Sequence, residues 1–332
     1  MNKAITIALA LILLLGVGYV FLSKAPQVDT VPEIQEESIL KEKDSEPLSQ
    51  GDYLGDYTVT DEERGTITTV SVSGDTRTIK TNALPNHETG KFPNAGNPNT
   101  IAAQDNSYEF PAIPVFTGDA IFARTPGVAI NGVKFEPQTA ERVICSTNTY
   151  SVEAIQDVVN LGLDFNNAHV QPTGAYHYHG VSDLLTEAYD SGDDLVHVGF
   201  AADGYLMYYS KSGAYTPSYT LTNKERSETQ CTLTVGGPSA PTGNTPNTVD
   251  LVDFPQGSFV SDWEYQEGLG DLDECNGITI NGTYAYLITD DYPYIGRCLN
   301  GESNEEVSGP RDLGSQRPPT NSERPPRRNG IQ

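Results

Sequence analysis

Between positions 52 and 308 the apolar residues fall in short alternating runs cut by Gly, Pro, Asn-Gly and Asp-Gly. Alternation of period two lays one face of an extended chain on a core, whereas a helix needs apolar residues three and four apart. Long stretches with helical spacing are scarce here, so the chain is confined to strands and turns. Thr66 to Val72 (TITTVSV), the Gly74-Asp75 turn and a strand near Thr76–Thr81 read as a hairpin. Gly118 to Phe135 holds short apolar runs separated by Pro-Gly and Asn-Gly. Leu195 to Phe200 (LVHVGF) reads as a buried strand, followed by an Asp203-Gly204 turn and a strand Tyr205–Tyr209, and Thr283 to Thr289 alternates as another strand. Two short helices are expected. One covers Ser151 to Leu163, with Ser151 as N-cap and Gly162 at its end; the other covers Val181 to Ala188. Thr234 to Pro255 is rich in Gly, Pro and Thr and reads as a long loop or insertion. No repeat of fixed period occurs. The expected class is α+β and β-rich: a single globular domain of short antiparallel strands with a few short helices. Its core should be aromatic, given 18 Tyr and 10 Phe against 1 Trp and 2 Met.

The ends carry different signals. Ala4 to Leu22 is an apolar run behind Lys3, about long enough to cross a bilayer as a helix. No A-x-A site follows cleanly, which favours an uncleaved anchor over a cleaved signal peptide for residues 1–24. Residues 25–51 read as an acidic flexible tether, 52–308 as the globular domain and 309–332 as a disordered Arg/Pro tail. The domain is therefore expected outside the cytoplasm, periplasmic or extracellular, anchored by the N-terminal helix or secreted. A formal charge of −25 repels phosphate backbones, and the folded region has no basic stripe, so nucleic acid is not an expected partner. The cysteines Cys145, Cys231, Cys275 and Cys298 form no CxxC pair, which argues against a zinc ribbon. An even number in an exported chain suggests disulfides. Cys275 and Cys298 could close a compact loop and leave Cys145 with Cys231, but three pairings are possible.

Five histidines occur, at 87, 169, 177, 179 and 197, and three of them fall in AHVQPTGAYHYHG. If Tyr176–His179 is extended, His177 and His179 project to one face while Tyr176 and Tyr178 anchor the strand from the other. A three-residue loop, Pro172-Thr173-Gly174, would pair Val170 with Tyr176 and His169 with His177. His169 then joins the same face; a two- or four-residue loop would turn it away. His197, in LVHVGF, points opposite to Val196, Val198 and Phe200 and needs a polar partner. Convergent imidazoles suit Cu or Zn, and also Ni, better than Ca or Mg. His169, His177, His179 and His197 are the expected ligands. The alternative is a hydrogen-bonded Tyr/His cluster without metal, and a hydrogen-bonded core position is expected for His87.

GAYHYHG, the downstream GFAADGYLMY and DLDECNGITINGTYAYLITDDYPYIGRC together resemble the YHYH protein family, over most of residues 110 to 300. The resemblance implies an exported or surface protein and assigns no activity. In that family the second motif usually continues Asp-Gly-Phe/Tyr-Pro-Ile/Leu-Tyr-Gly, where this chain reads DGYLMYY, which leaves the turn after Tyr205 open.

Asp203 reads as a ligand, a carboxylate orienting an imidazole, a general base or a plain turn residue. Asp271, Asp273 and Glu274 form an acidic cluster beside Cys275: a calcium site without an EF-hand loop, a base or orienting group, or a capped turn. No G-x-S-x-G, P-loop or G-x-G-x-x-G is present. The expected function is transition-metal binding. A metal-dependent hydrolase or oxidase, and a Tyr-lined module for a glycan or other small ligand, are the alternatives.

Overall fold

The computed structural model describes residues 53–234 and 247–303. The apolar run, the acidic tether and the Arg/Pro tail expected from the sequence lie outside the described residues. Among the described residues no helix is long and apolar enough to cross a membrane.

Among the described residues the fold is β-rich, with one α-helix and two 3-10 turns. Its frame is an eight-stranded sheet whose strands run, edge to edge, 168–170, 176–178, 134–135, 127–129, 195–201, 206–210, 283–288 and 277–280. Most neighbours are antiparallel, but 176–178 pairs parallel with 134–135, and 206–210 pairs parallel with 283–288. Parallel pairs need long connections, which is why neither was legible as a local hairpin.

A four-stranded antiparallel sheet comes first in the chain: 57–61, 66–73, 76–81 and 106–111. The hairpin at Thr66–Ser73 and Thr76–Thr81 forms as expected, with Gly74 at φ 58° supplying the turn. The inward side chains of this sheet, Val70, Ile79 and Phe110, join the main core with Phe135, Tyr176, Tyr178 and Phe200. A second four-stranded sheet, 247–249, 231–234, 138–144 and 149–153, covers a smaller core of Val143, Val152, Leu251, Phe254 and Phe259. The two disulfides are Cys145–Cys231 and Cys275–Cys298. Glu153, on strand 149–153, accepts two hydrogen bonds from the Arg297 guanidinium, at 2.9 and 2.6 Å, and the pair is buried.

The helix expected at the second position is present as Asp183–Ala188, capped by the Ser182 hydroxyl, which accepts from the Leu185 amide. The one expected over Ser151–Leu163 is not. Ser151 lies in strand 149–153, opposite Arg142. Beyond it, side chains take over the backbone partners a helix would use: the Gln156 carbonyl accepts from the Val158 and Val159 amides, and the Asn160 carbonyl accepts from Gly162 N. The carbonyls of Leu161 and Gly162 are committed to His169 and Asn94. In the expected loop at Thr234–Pro255, residues 247–249 form a strand against 231–233 and 251–253 a 3-10 turn. No turn follows Tyr205, which leads directly into strand Leu206–Ser210.

Candidate metal centre

The hairpin 168–170/176–178 forms in the expected register, with His169 opposite His177 and Val170 opposite Tyr176. Gly174 makes this possible: it sits at φ 88° and its amide donates to the Gln171 carbonyl, closing the three-residue loop. One side of the hairpin then carries the tyrosines. Tyr176 donates to Asp164 at 2.8 Å, and Tyr178 sits 2.6 Å from His87 Nε2 and accepts from Asn131. His87 Nδ1 faces the Glu88 carbonyl, which can only accept, so its Nε2 receives the Tyr178 proton. His87 is thus a hydrogen-bonded core residue.

The other side carries His169, His177 and His179, whose ring centroids are 4.6 to 4.7 Å apart. One ring nitrogen from each lies within 4.8 Å of the others, and the residues are 9, 2 and 1 % exposed. His169 Nδ1 is 2.9 Å from the Leu161 carbonyl and His177 Nδ1 is 3.3 Å from the Ala175 carbonyl. A carbonyl accepts only, so both Nδ1 atoms bear the proton and each Nε2 keeps its lone pair. At His179 neither ring nitrogen has a hydrogen-bond partner among the described residues, although both are buried. The Glu136 carbonyl faces this ring without reaching hydrogen-bond geometry, and it favours the charged form only weakly.

Burial holds His177 and His179 well below the usual imidazole range, and the neighbouring histidines and Lys134 add to the effect; Arg297 also acts on His179. Clustered imidazoles with free lone pairs are what a nitrogen-loving cation needs. Tetrahedral zinc, with Zn–N near 2.0–2.1 Å, would set its nitrogens about 3.3 Å apart. The rings must therefore draw inward to hold one ion. The residues fit the group on chemistry and on the unpaired nitrogens of His179.

A carboxylate that sequence reasoning missed stands at this face. Strand 134–135 pairs Lys134 with His177 and Phe135 with Tyr178, and the Glu136 amide donates to the Tyr178 carbonyl. The period-two alternation therefore puts Lys134 and Glu136 on the histidine face and Phe135 on the tyrosine face. Glu136 Oε2 is 3.8 Å from His177 Nε2 and 2.9 Å from Lys134 Nζ, and it accepts from the Gln171 amide. The alternation in KFE was visible in the sequence; its parallel partner 43 positions on, in strand 176–178, was not.

His197 does not join the triad. A register shift between His197 and Gly199 interrupts its strand. A regular strand would send positions 197 and 200 to opposite faces, but the bulge brings the His197 ring to 5.0 Å from Phe200, with Tyr208 at 5.4 Å. Its Nε2 donates to the Gly199 carbonyl at 3.0 Å. Burial lowers its pKa to about 4, with Arg77 adding to the shift.

Asp203, Asp273 and Glu274 also lie elsewhere. Asp203 accepts from the Tyr286 hydroxyl and the Gly301 amide. Asp273 accepts from Tyr284, Asn300 and the amides of Cys275 and Gly277. Asn300 joins the two networks, since its amide N–H donates to Tyr286 and its side chain to Tyr284. Burial raises the pKa of both aspartates against these bonds. Glu274 offers its backbone carbonyl to Tyr219, and Asp271 accepts from Thr216. Among the described residues the acidic cluster forms no metal-holding group; the histidine triad does.

The family model described as YHYH protein matches residues 107–301, and this span contains the hairpin, Glu136 and both aspartate networks. No curated protein and no solved structure matches the chain. On a match over more than half its length, through the Tyr-His-Tyr-His strand itself, the chain belongs to the YHYH protein family.

Proposed function

We propose that this is an exported metal-binding protein whose His169, His177 and His179 hold one copper or zinc ion. The observation that carries the reading is His179: two buried ring nitrogens without partners, facing two imidazoles whose tautomers leave Nε2 free. A buried polar atom left unpaired costs on the order of 1–3 kcal/mol, and a bound cation would offset that cost. Nitrogen donors favour Cu or Zn over the oxygen-seeking Ca and Mg. When bound, such an ion supplies a Lewis acid at its remaining position. The chain's own part is to orient His169 and His177 through the Leu161 and Ala175 carbonyls, to keep His177 and His179 neutral by burial, and to shield the rings from water. The burial of the triad supports binding over turnover of a large substrate. The apolar run at Ala4–Leu22 and the two disulfides support an oxidising location outside the cytoplasm.

Elemental analysis of the full chain, purified without a histidine tag, tests this. We expect about one equivalent of Cu or Zn, lost when His177→Ala and His179→Ala are combined. In chelator, His179→Leu should unfold at no lower urea concentration than wild type, because leucine removes two unpaired nitrogens. Wild type that neither contains nor takes up Cu or Zn overturns the proposal. So does a His179→Leu apoprotein destabilised by more than about 2 kcal/mol, the cost of breaking a buried hydrogen bond.

A further inference from the structure

Resting on that metal reading, we propose that Glu136 is the charge-balancing carboxylate of the centre, that Lys134 is the cation competing for it, and that the ion is divalent. Fixed charges surround the three rings. Lys134 and Arg297 both act on the triad as nearby cations. Arg297 is matched, because Glu153 takes both of its terminal nitrogens. Lys134 is matched by Glu136, at 2.9 Å. Apart from the half-exposed Arg124, the buried cations are thus each paired before any ion enters, and the imidazoles bring no negative charge to offset one.

A dication placed in such a buried site is left uncompensated unless a carboxylate turns to it. Glu136 is placed for this, with Oε2 3.8 Å from His177 Nε2 on the same face of the sheet. Its other partners are exchangeable. Arg124 lies 3.6 Å from Oε1 with a half-exposed side chain, and Gln171 is a neutral amide. Lys134 carries its charge on a flexible stem whose ammonium also meets the Gln171 carbonyl at 2.8 Å, so it can withdraw from Glu136 without losing every partner.

The same inventory sets the valence. Cuprous ion prefers thiolate or thioether sulfur. All four cysteines are in disulfides, and Met207 is buried in strand 206–210, against Gly127. A carboxylate beside imidazoles suits Zn²⁺ or Cu²⁺.

Zinc titration of the full chain against a competing chelator, on wild type, Glu136→Gln, Glu136→Asp and Lys134→Gln, tests this. Cuprous titration under reducing agent-free, oxygen-free conditions runs in parallel. We expect Glu136→Gln to weaken Zn²⁺ binding by about 10–100-fold, the usual loss when a group supporting a metal's ligands is removed. Glu136→Asp should retain most of the affinity, and Lys134→Gln should tighten it. Cu⁺ affinity should change less than about threefold in either charge variant. If Glu136→Gln does not fold, by circular dichroism, the opposite sign expected of Lys134→Gln decides. Zn²⁺ affinity indifferent to both charge changes, in a protein that still loses zinc on His177→Ala plus His179→Ala, overturns this inference and leaves the metal reading standing. Absence of any uptake by wild type overturns both. Cu⁺ bound more tightly than Zn²⁺, and equally sensitive to Glu136→Gln, overturns the assigned valence.

Discussion

His197 is kept neutral by the company it keeps: Phe200, Tyr208 and, beyond Phe200, the Arg77 guanidinium 4.0 Å over that ring. Its pKa in the folded protein is about 4, against about 6.5 in an unfolded chain. Between those values the unfolded chain takes up a proton that the folded one refuses. The stability tied to this group is therefore whole above pH 6.5 and is lost as pH falls to about 4, in all about 3 kcal/mol. His197→Phe removes the titration. Urea unfolding of the metal-free proteins at steps across that window should give a flatter stability curve for the variant than for wild type. Parallel curves would show that the ring already titrates normally. The residue also marks a limit of pattern reading: its inward position was legible in LVHVGF, but the bulge that turns it towards Phe200 depends on the strands packed on either side.

At the scale of elements, the histidine hairpin is the piece that sequence alone described best. Loop length, Gly174 and the alternation of YHYH were sufficient, because a hairpin is a local structure whose register follows from its turn. Gly174 is also where it is most fragile. A methyl group there would meet the Ala102 side chain at 2.6 Å, on a backbone at φ 88° that side chains rarely adopt. Gly174→Ala should lower stability by about 1–3 kcal/mol and weaken metal binding together, since slippage at the turn separates His169 from His177. Thermal unfolding and a zinc titration check this; lowered stability with unchanged affinity would mean the turn does not set the triad. Glu136 and the aspartate networks were not legible to the same depth. Glu136 reaches the triad by a parallel pairing, and Asp203 meets the Gly301 amide across 98 positions, so neither contact leaves a local pattern. The missed helix at 151–163 has a mixed origin: Ser151 is drawn into a strand opposite Arg142, and the Gln156 and Asn160 side chains take nearby amides.

Across the whole molecule, the disulfides span very different lengths, 86 positions for Cys145–Cys231 and 23 for Cys275–Cys298. In the chain-entropy account their loss should cost about 4–5 and about 3 kcal/mol. Replacing the first pair by alanine should therefore lower the urea midpoint more than replacing the second, and the reverse order would show that local packing outweighs loop length. The first bond also ties the strand carrying Cys231 into the smaller core with Phe254 and Phe259. Sequence separation bears on the histidine site in another way. His169 and His179 are ten positions apart, while Glu136 lies 33 positions before the first of them. Short segments close at little entropic expense and long ones more slowly. On the proposed metal reading, the three histidines can thus meet within one hairpin of a chain still partly open, with Glu136 arriving when the central sheet pairs. An ion caught early would be held loosely, then locked in by completion of the fold.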